Sequence, residues 1–121
     1  MFESSKPFVG YVDGASRSTQ NLSSAAWAIF APNSELVIFQ GICIDRSKNN
    51  IVEYNALIEL LSDAISFCIN HIIIRLDSQL VVLQLTSAYT VRNPTLHRLF
   101  LRVQLLERHL ILFNINTFPE T

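Results

Sequence analysis

The hydrophobic pattern changes period twice along the chain, and this restricts the folds open to it more than any single residue does. Before Ile51, apolar residues come in short runs rich in Val, Ile and aromatics, "PFVGYVDG", "SAAWAIFAP" and "LVIFQGICI", with polar turns around Asn21 and at "PNSE". These runs read as three consecutive strands. Neighbouring strands joined by short turns predict an antiparallel meander.

From Ile51 the spacing becomes helical. Leu57, Leu60, Leu61, Ala64 and Cys68 recur at steps of three and four, with polar Asn55, Glu59 and Ser62 between them, which predicts one amphipathic helix. "HIIIRLD" is short and dense in isoleucine, the pattern of a strand covered on both faces. "SQLVVLQL" follows as a short helix capped by Ser78. Pro94 and Thr95 open a further helix with an apolar stripe of Leu96, Leu99, Phe100, Val103 and Leu106, and "LILFNIN" closes as a strand. The order βββαβααβ predicts an α/β (α+β) sheet layered with helices. With 121 residues, 50% hydrophobic and 16% charged, and no repeat or long linker, one domain spanning 1–121 is expected.

Charge and cysteine usage narrow the function classes. A net charge of −1 removes the broad basic field of many nucleic-acid binders but leaves room for a local positive groove. Cys43 and Cys68 lie among apolar neighbours without CxxC spacing or paired His, which predicts buried free thiols and no zinc site. "MFESSKPFVG" carries no long apolar segment behind a basic start, and no stretch reaches the roughly 18 apolar residues of a membrane span. No membrane association and an intracellular location, cytoplasm or nucleus, are expected.

Three carboxylates occupy comparable places on this skeleton. Asp13 ends the first strand, Glu53 falls in the first turn of the long helix, and Asp77 ends the fourth strand. Each has an ordinary explanation taken singly: Asp13–Gly14 as a turn pair, Glu53 as a favourable charge near a helix start, Asp77 as a neighbour of an N-cap. In sheets with helical connections, however, ligands gather outside the carboxyl ends of strands. Three acids meeting there would repel one another unless cations intervened, and hard oxygen ligands suit Mg²⁺ or Mn²⁺.

The segments "YVDGAS", "NNIVEYNALIELL" and "LDSQLVVLQL", continuing through "AYTVRNPTLHRLFLRVQLLERHLILFNI", resemble the ribonuclease H family, in particular the reverse transcriptase-like domains of plant retroelements. The resemblance covers almost the whole chain. It implies a mixed five-stranded sheet flanked by helices and cleavage of the RNA strand of RNA–DNA hybrids by two metal ions, Mg²⁺ or Mn²⁺. Carried over by position, Asp13, Glu53 and Asp77 match the catalytic and metal-binding carboxylates. Asn49 and Asn50 match an asparagine pair near the RNA strand, and Gln79 a residue near the same groove; Gly14, Ser16 and Ser78 are further expected substrate contacts. Amides both donate and accept, which suits the 2′-hydroxyl that distinguishes RNA from DNA. A polar loop with Asn50 as N-cap is the plainer alternative.

The sequence also departs from the family. Thr117 stands where a histidine is common, and "NTFPET" leads to no helix with a fourth aspartate, so the resemblance implies a C-terminally truncated domain with weakened activity. Ser and Ala in "SSAAWAIF" replace the usual glycines of the second strand. The alternative is a non-catalytic domain acting as a nucleic-acid-binding or protein-interaction module. A mean hydropathy of +0.31 without the terminal helix predicts a homodimer covering the exposed apolar surface. Among the remaining polar residues, His71, His97 and His109 are expected in solvated positions, and Asp45, Glu59, Asp63 and Glu107 as exposed charges. Arg92, Arg98, Arg102 and Arg108 read as a solvated helical face, with tracking of a phosphate backbone as the alternative.

Overall fold

The computed structural model describes residues 6–17, 22–45, 49–110 and 112–117, with backbone alone at 14–17, 22–23, 44–45, 49 and 112–113. Strands β1 (Phe8–Arg17), β2 (Leu22–Phe30) and β3 (Leu36–Asp45) lead into helix α1 (Asn49–Ser66). Strand β4 (His71–Leu76), helices α2 (Gln79–Leu85) and α3 (Pro94–Glu107), and strand β5 (Leu112–Thr117) follow. The order is the expected one, and the elements form one mixed five-stranded sheet, β3-β2-β1-β4-β5. The turn expected around Asn21 lies outside the described residues.

The first three strands pair antiparallel, as short connections allow. β4 joins β1 parallel, and β5 joins β4 parallel, which requires crossovers long enough to return the chain to the same end of the sheet. Helix α1 is the first such crossover. Because β1 and β4 are adjacent and parallel, their carboxyl ends meet at the same sheet end.

All the fully buried strand side chains lie on the helix face. Val12, Trp27, Ile29, Ile72, Ile74, Leu76 and Ile115 pack there against Tyr54, Leu57, Leu60, Leu61 and Ala64 of α1 and Val103 of α3. Gly10 marks the closest approach: a Cβ on it would lie 3.0 Å from both methyls of Leu60 and 3.2 Å from Ile74 Cδ1. The opposite face carries Val9, Tyr11, Phe30, Ile73 and Arg75, none of them fully buried. β4 therefore alternates half-buried and buried residues where the isoleucine run predicted cover on both sides; its alternate residues lie on a face that no described helix covers. Tyr11 meets Phe30 edge-on at 5.7 Å, and the Arg75 guanidinium stands 5.9 Å over the Tyr11 ring.

Helix ends and polar anchors account for further differences. α1 stops at Ser66, and Cys68 adopts a left-handed conformation (φ 59°) while its amide donates to Ile65 O and that of Ile69 to Ala64 O. This is the Schellman arrangement, usually built on glycine. Cys68 is thereby turned out of the apolar stripe, and both Cys68 and Cys43 are exposed free thiols where buried ones were expected. Cys43 is exposed because β3 is an edge strand. Asp63 is half-buried, since the indole Nε1 of Trp27 donates to its Oδ2 at 2.8 Å. Glu107 is also half-buried, and burial raises its pKa. Among the histidines, His97 and His109 are exposed and His71 is half-buried. No described helix is long and apolar enough to cross a membrane.

The α1 terminus makes the fold testable. An L-residue in the left-handed region costs on the order of 1 kcal/mol, partly offset by the larger chain entropy of glycine when unfolded. Cys68→Gly is expected to raise Tm by roughly 2–5 °C in calorimetry, whereas Ser66→Gly, inside the helix, should lower it.

Candidate active site

The β1–β4 pairing ends with Val12 opposite Leu76, so the next residues, Asp13 and Asp77, lie side by side just past that pairing. β1 itself runs on to Arg17, with Asp13 opposite Ala26 of β2, where the sequence reading placed Asp13 at the end of the strand. The backbone closes the junction, with Asp77 N donating to Val12 O at 3.2 Å. Both aspartates are exposed residues. The Asp13 carboxyl is nonetheless held above its ordinary range, first by the burial its position imposes and second by the negative charge of Asp77. The two carboxylates are thus electrostatic neighbours.

Glu53 approaches from α1. It is the fifth residue of that helix, beyond the first turn, and it is fully buried. This differs from the sequence expectation and removes a solvated charge near the helix start as its role. Its Oε1 accepts the backbone amide of Ser78 at 2.7 Å, immediately after Asp77. Among the described residues, no three His, Cys, Asp or Glu side chains lie close enough together to hold a metal ion. The close carboxylate pair is Asp13 with Asp77, and Glu53 stands behind it, tied to the chain that carries Asp77.

Ser78 is the N-cap of α2, its Oγ accepting Val81 N at 3.2 Å. The same hydroxyl donates to Asn50 Oδ1 at 2.8 Å. Asn50 lies inside α1, half-buried, and does not cap it, because the helix begins at Asn49, two residues earlier than the apolar spacing suggests. Gln79 is exposed at the start of α2. The backbones of Gly14 and Ser16 lie in β1 and that of Asn49 opens α1, while the side chains of Ser16 and Asn49 lie outside what the structure describes.

A second polar link was not foreseen from the sequence. Tyr54 is fully buried, and its hydroxyl donates to Oε1 of buried Gln84 at 2.8 Å. Burial pushes the Tyr54 hydroxyl far up, keeping it a neutral donor at any physiological pH. The available signal was Gln84 itself, a polar residue three positions after Val81 on the apolar face of "QLVVLQL". Together with Glu53–Ser78, this bond fixes both ends of α2 to α1.

The same architecture occurs in known proteins. Residues 11–113 match the reverse transcriptase-like family, and ribonuclease HI of Halobacterium salinarum is 40% identical over 88 residues, 73% of this chain. The chain belongs to the reverse transcriptase-like ribonuclease H family. The match spans 44% of that curated relative, under half its length. Among solved structures, RNase H1 from Halobacterium salinarum NRC-1 is similar with TM-score 0.85 and 34% identity, covering 94% of this chain and 86% of that one. The N-terminal RNase H domain of the Mycobacterium tuberculosis protein Rv2228c, solved as a fusion with maltose binding protein, gives TM-score 0.88 and 26% identity over 96% and 84%. These likenesses bear out the mixed five-stranded fold read from the sequence.

The elevated Asp13 pKa has a definite sign for stability. A carboxyl whose folded pKa lies above its unfolded value contributes fully below the unfolded value, and that contribution is lost as pH rises through the folded one. Asp13→Asn is therefore expected to be more stable than the parent at pH 7, by about 1–2 °C given solvent screening. The advantage should vanish below the ordinary carboxylate range. Thermal melts between acid and neutral pH read this directly; a gain that persists unchanged in acid would assign it to something other than charge.

Proposed function

We propose that this domain hydrolyses the RNA strand of RNA–DNA hybrids, using Mg²⁺ or Mn²⁺ bound at Asp13 and Asp77 with Glu53 behind them. One observation carries the reading: Asp13 and Asp77 lie side by side just past the last pair of the parallel β1–β4 ladder, Val12 with Leu76, close enough for the Asp77 charge to add to the burial that holds the Asp13 carboxyl up. Two neighbouring carboxylates gain nothing from repelling each other in a stable fold, and a hard divalent cation between them relieves the repulsion. The donor set is all oxygen, which fits these ions. Family membership supports the same activity.

A bound divalent ion would supply an activated water and stabilise charge on the leaving oxygen. The chain's own residues prepare the place for it. Glu53, held by the Ser78 amide, fixes the loop that carries Asp77. Asp13 is carried on β1, the central strand of the sheet. Asn50, Ser78 and Gln79 surround the start of α2 and offer hydrogen-bonding groups to a strand lying across the sheet end. Since Mg²⁺ is commonly held by one or two carboxylates together with substrate phosphates, ion and hybrid are expected to bind jointly, each strengthening the other.

The test is an end-labelled RNA–DNA hybrid incubated with the protein and Mg²⁺ or Mn²⁺. Ion-dependent cleavage of the RNA strand is expected, with Asp13→Asn or Asp77→Asn lowering the rate at least 100-fold, on the order of a lost metal ligand or charge stabiliser. Tm should rise with added ion in the parent by native-state binding and respond less in Asp77→Asn. Binding of the hybrid without cleavage under any of these ions would move the assignment to a non-catalytic nucleic-acid-binding module. Cleavage that survives Asp77→Asn would place the site elsewhere.

A further inference from the structure

We infer that the outer face of α3 is a docking surface for a protein partner, and that its occupant is an acidic amphipathic helix. α3 carries apolar residues on two sides. Its inner stripe of Leu96, Leu99, Phe100, Val103 and Leu106 packs against the core and accounts for its place in the fold. Leu101 and Leu105 take no part in that packing and are 44% and 56% exposed. Arg98, Leu101, Arg102 and Leu105 follow one another at i, i+3, i+4 and i+7, the spacing by which a helix presents a single row of anchors to a partner.

This row works against the stability of the isolated domain. Arg98 and Arg102 are both exposed and stand one helical turn apart, where like charges repel. The exposed leucines between them keep apolar surface in water. Glu107 is the one acid in α3, and its position puts it on the side of the helix opposite Arg98. It is half-buried there, with its carboxyl held up by burial. A chain of net charge −1 thus carries a basic row that its own helix leaves without a counter-charge.

Charge complementarity selects the occupant. A partner helix with leucine-sized residues along its seam buries Leu101 and Leu105, and carboxylates beside that seam accept the guanidinium donors of Arg98 and Arg102. A second copy of this chain docked face to face does not fit, because a two-fold pairing of the row sets arginine against arginine. A phosphate backbone meets the charges but leaves the interleaved leucines wet. The direction of α3 also separates the row from the candidate active site. The chain leaves β4 at the Asp77 end and enters β5, parallel to β4, at the other end. α3 directly precedes β5, so it carries Leu105 away from the carboxylates.

The test uses the full chain and three probes: a synthetic helical peptide with a leucine seam flanked by glutamates, a scrambled peptide of the same composition, and a DNA duplex. Kd is measured by fluorescence anisotropy at low and high salt, alongside Tm. The seam peptide is expected to bind the parent about tenfold more tightly than the scrambled one, shifting the amide resonances of α3 between Arg98 and Leu105. Arg98→Glu should weaken seam-peptide binding by about tenfold. It should nevertheless melt at or above the parent temperature, because a carboxylate one turn before Arg102 replaces a repulsion with an attraction. Leu101→Gln combined with Leu105→Gln should weaken binding by a similar factor and keep its salt dependence, since apolar burial is lost and the charges are not.

A seam peptide that binds no better than its scrambled form reduces the effect to general attraction between opposite charges and overturns the inference. Seam-peptide affinity unchanged in Arg98→Glu, or in the double leucine variant, overturns it as well. Weakened duplex binding in Arg98→Glu with peptide affinity unchanged assigns the row to phosphate tracking instead. A dimer of the parent in sedimentation that the double leucine variant abolishes assigns the face to a second copy and likewise overturns the acidic-helix assignment.

Discussion

A fully buried carboxylate governs the arrangement of this domain. Glu53 sits inside the α1 face that packs on the sheet, and a buried charge or even a buried neutral carboxyl without partners costs several kcal/mol. The Ser78 amide meets one of its oxygens, and that single bond crosses from α1 to the junction between β4 and α2. The consequences spread in both directions. Asp77 must leave β4 where it does for Ser78 to reach Glu53, and α2 must begin where Ser78 can cap it. The Tyr54–Gln84 bond, one residue further along α1, then sets the other end of α2.

The elements of the fold were legible because hydrophobic period is a strong local signal. The strands before Ile51 and the helical stripe after it were each read from the period of their apolar residues, whereas the mixed pairing of the sheet came from the family resemblance. What escaped was tertiary in origin. Isoleucine at Ile72, Ile73 and Ile74 cannot reveal that Ile73 lies on a face that no described helix covers, since the residue type is the same on both sides. Cys68 continues the apolar stripe in sequence but sits in a left-handed turn, because helix termination there depends on Ile69 reaching the core. Asp63 reads as a surface charge until Trp27, thirty-six positions away, supplies its donor.

The candidate site divides along the same line. Asp77 was visible as a carboxylate at a strand end, and Asp13 was singled out on the same ground, although β1 runs on past it to Arg17 and only its pairing with β4 stops there. Asn50 and Ser78 drew notice through family resemblance, and nothing in their spacing states that one donates to the other across twenty-eight residues. Glu53 was visible as a residue and misread as a position: a helix start two residues earlier, at Asn49, moves it beyond the first turn and into the core. Tyr54 and Gln84 had no local signature beyond a polar side chain on an apolar face.

The two faces of the sheet contribute to the site from opposite sides. By the alternation of β1, Asp13 projects with Tyr11 on the face that no described helix covers, while Glu53 arrives from the helix-covered side. The carboxylates therefore straddle the rim of the sheet. Their spacing is set by the local twist between β1 and β4, a soft degree of freedom compared with a side-chain rotamer in a packed core. A small change in that twist opens or closes the gap between Asp13 and Asp77 while leaving Glu53 and Ser78 together, because the latter pair is joined within the helix layer. The relation between two neighbouring central strands, and not the core beneath them alone, therefore sets how far apart the two aspartates stand.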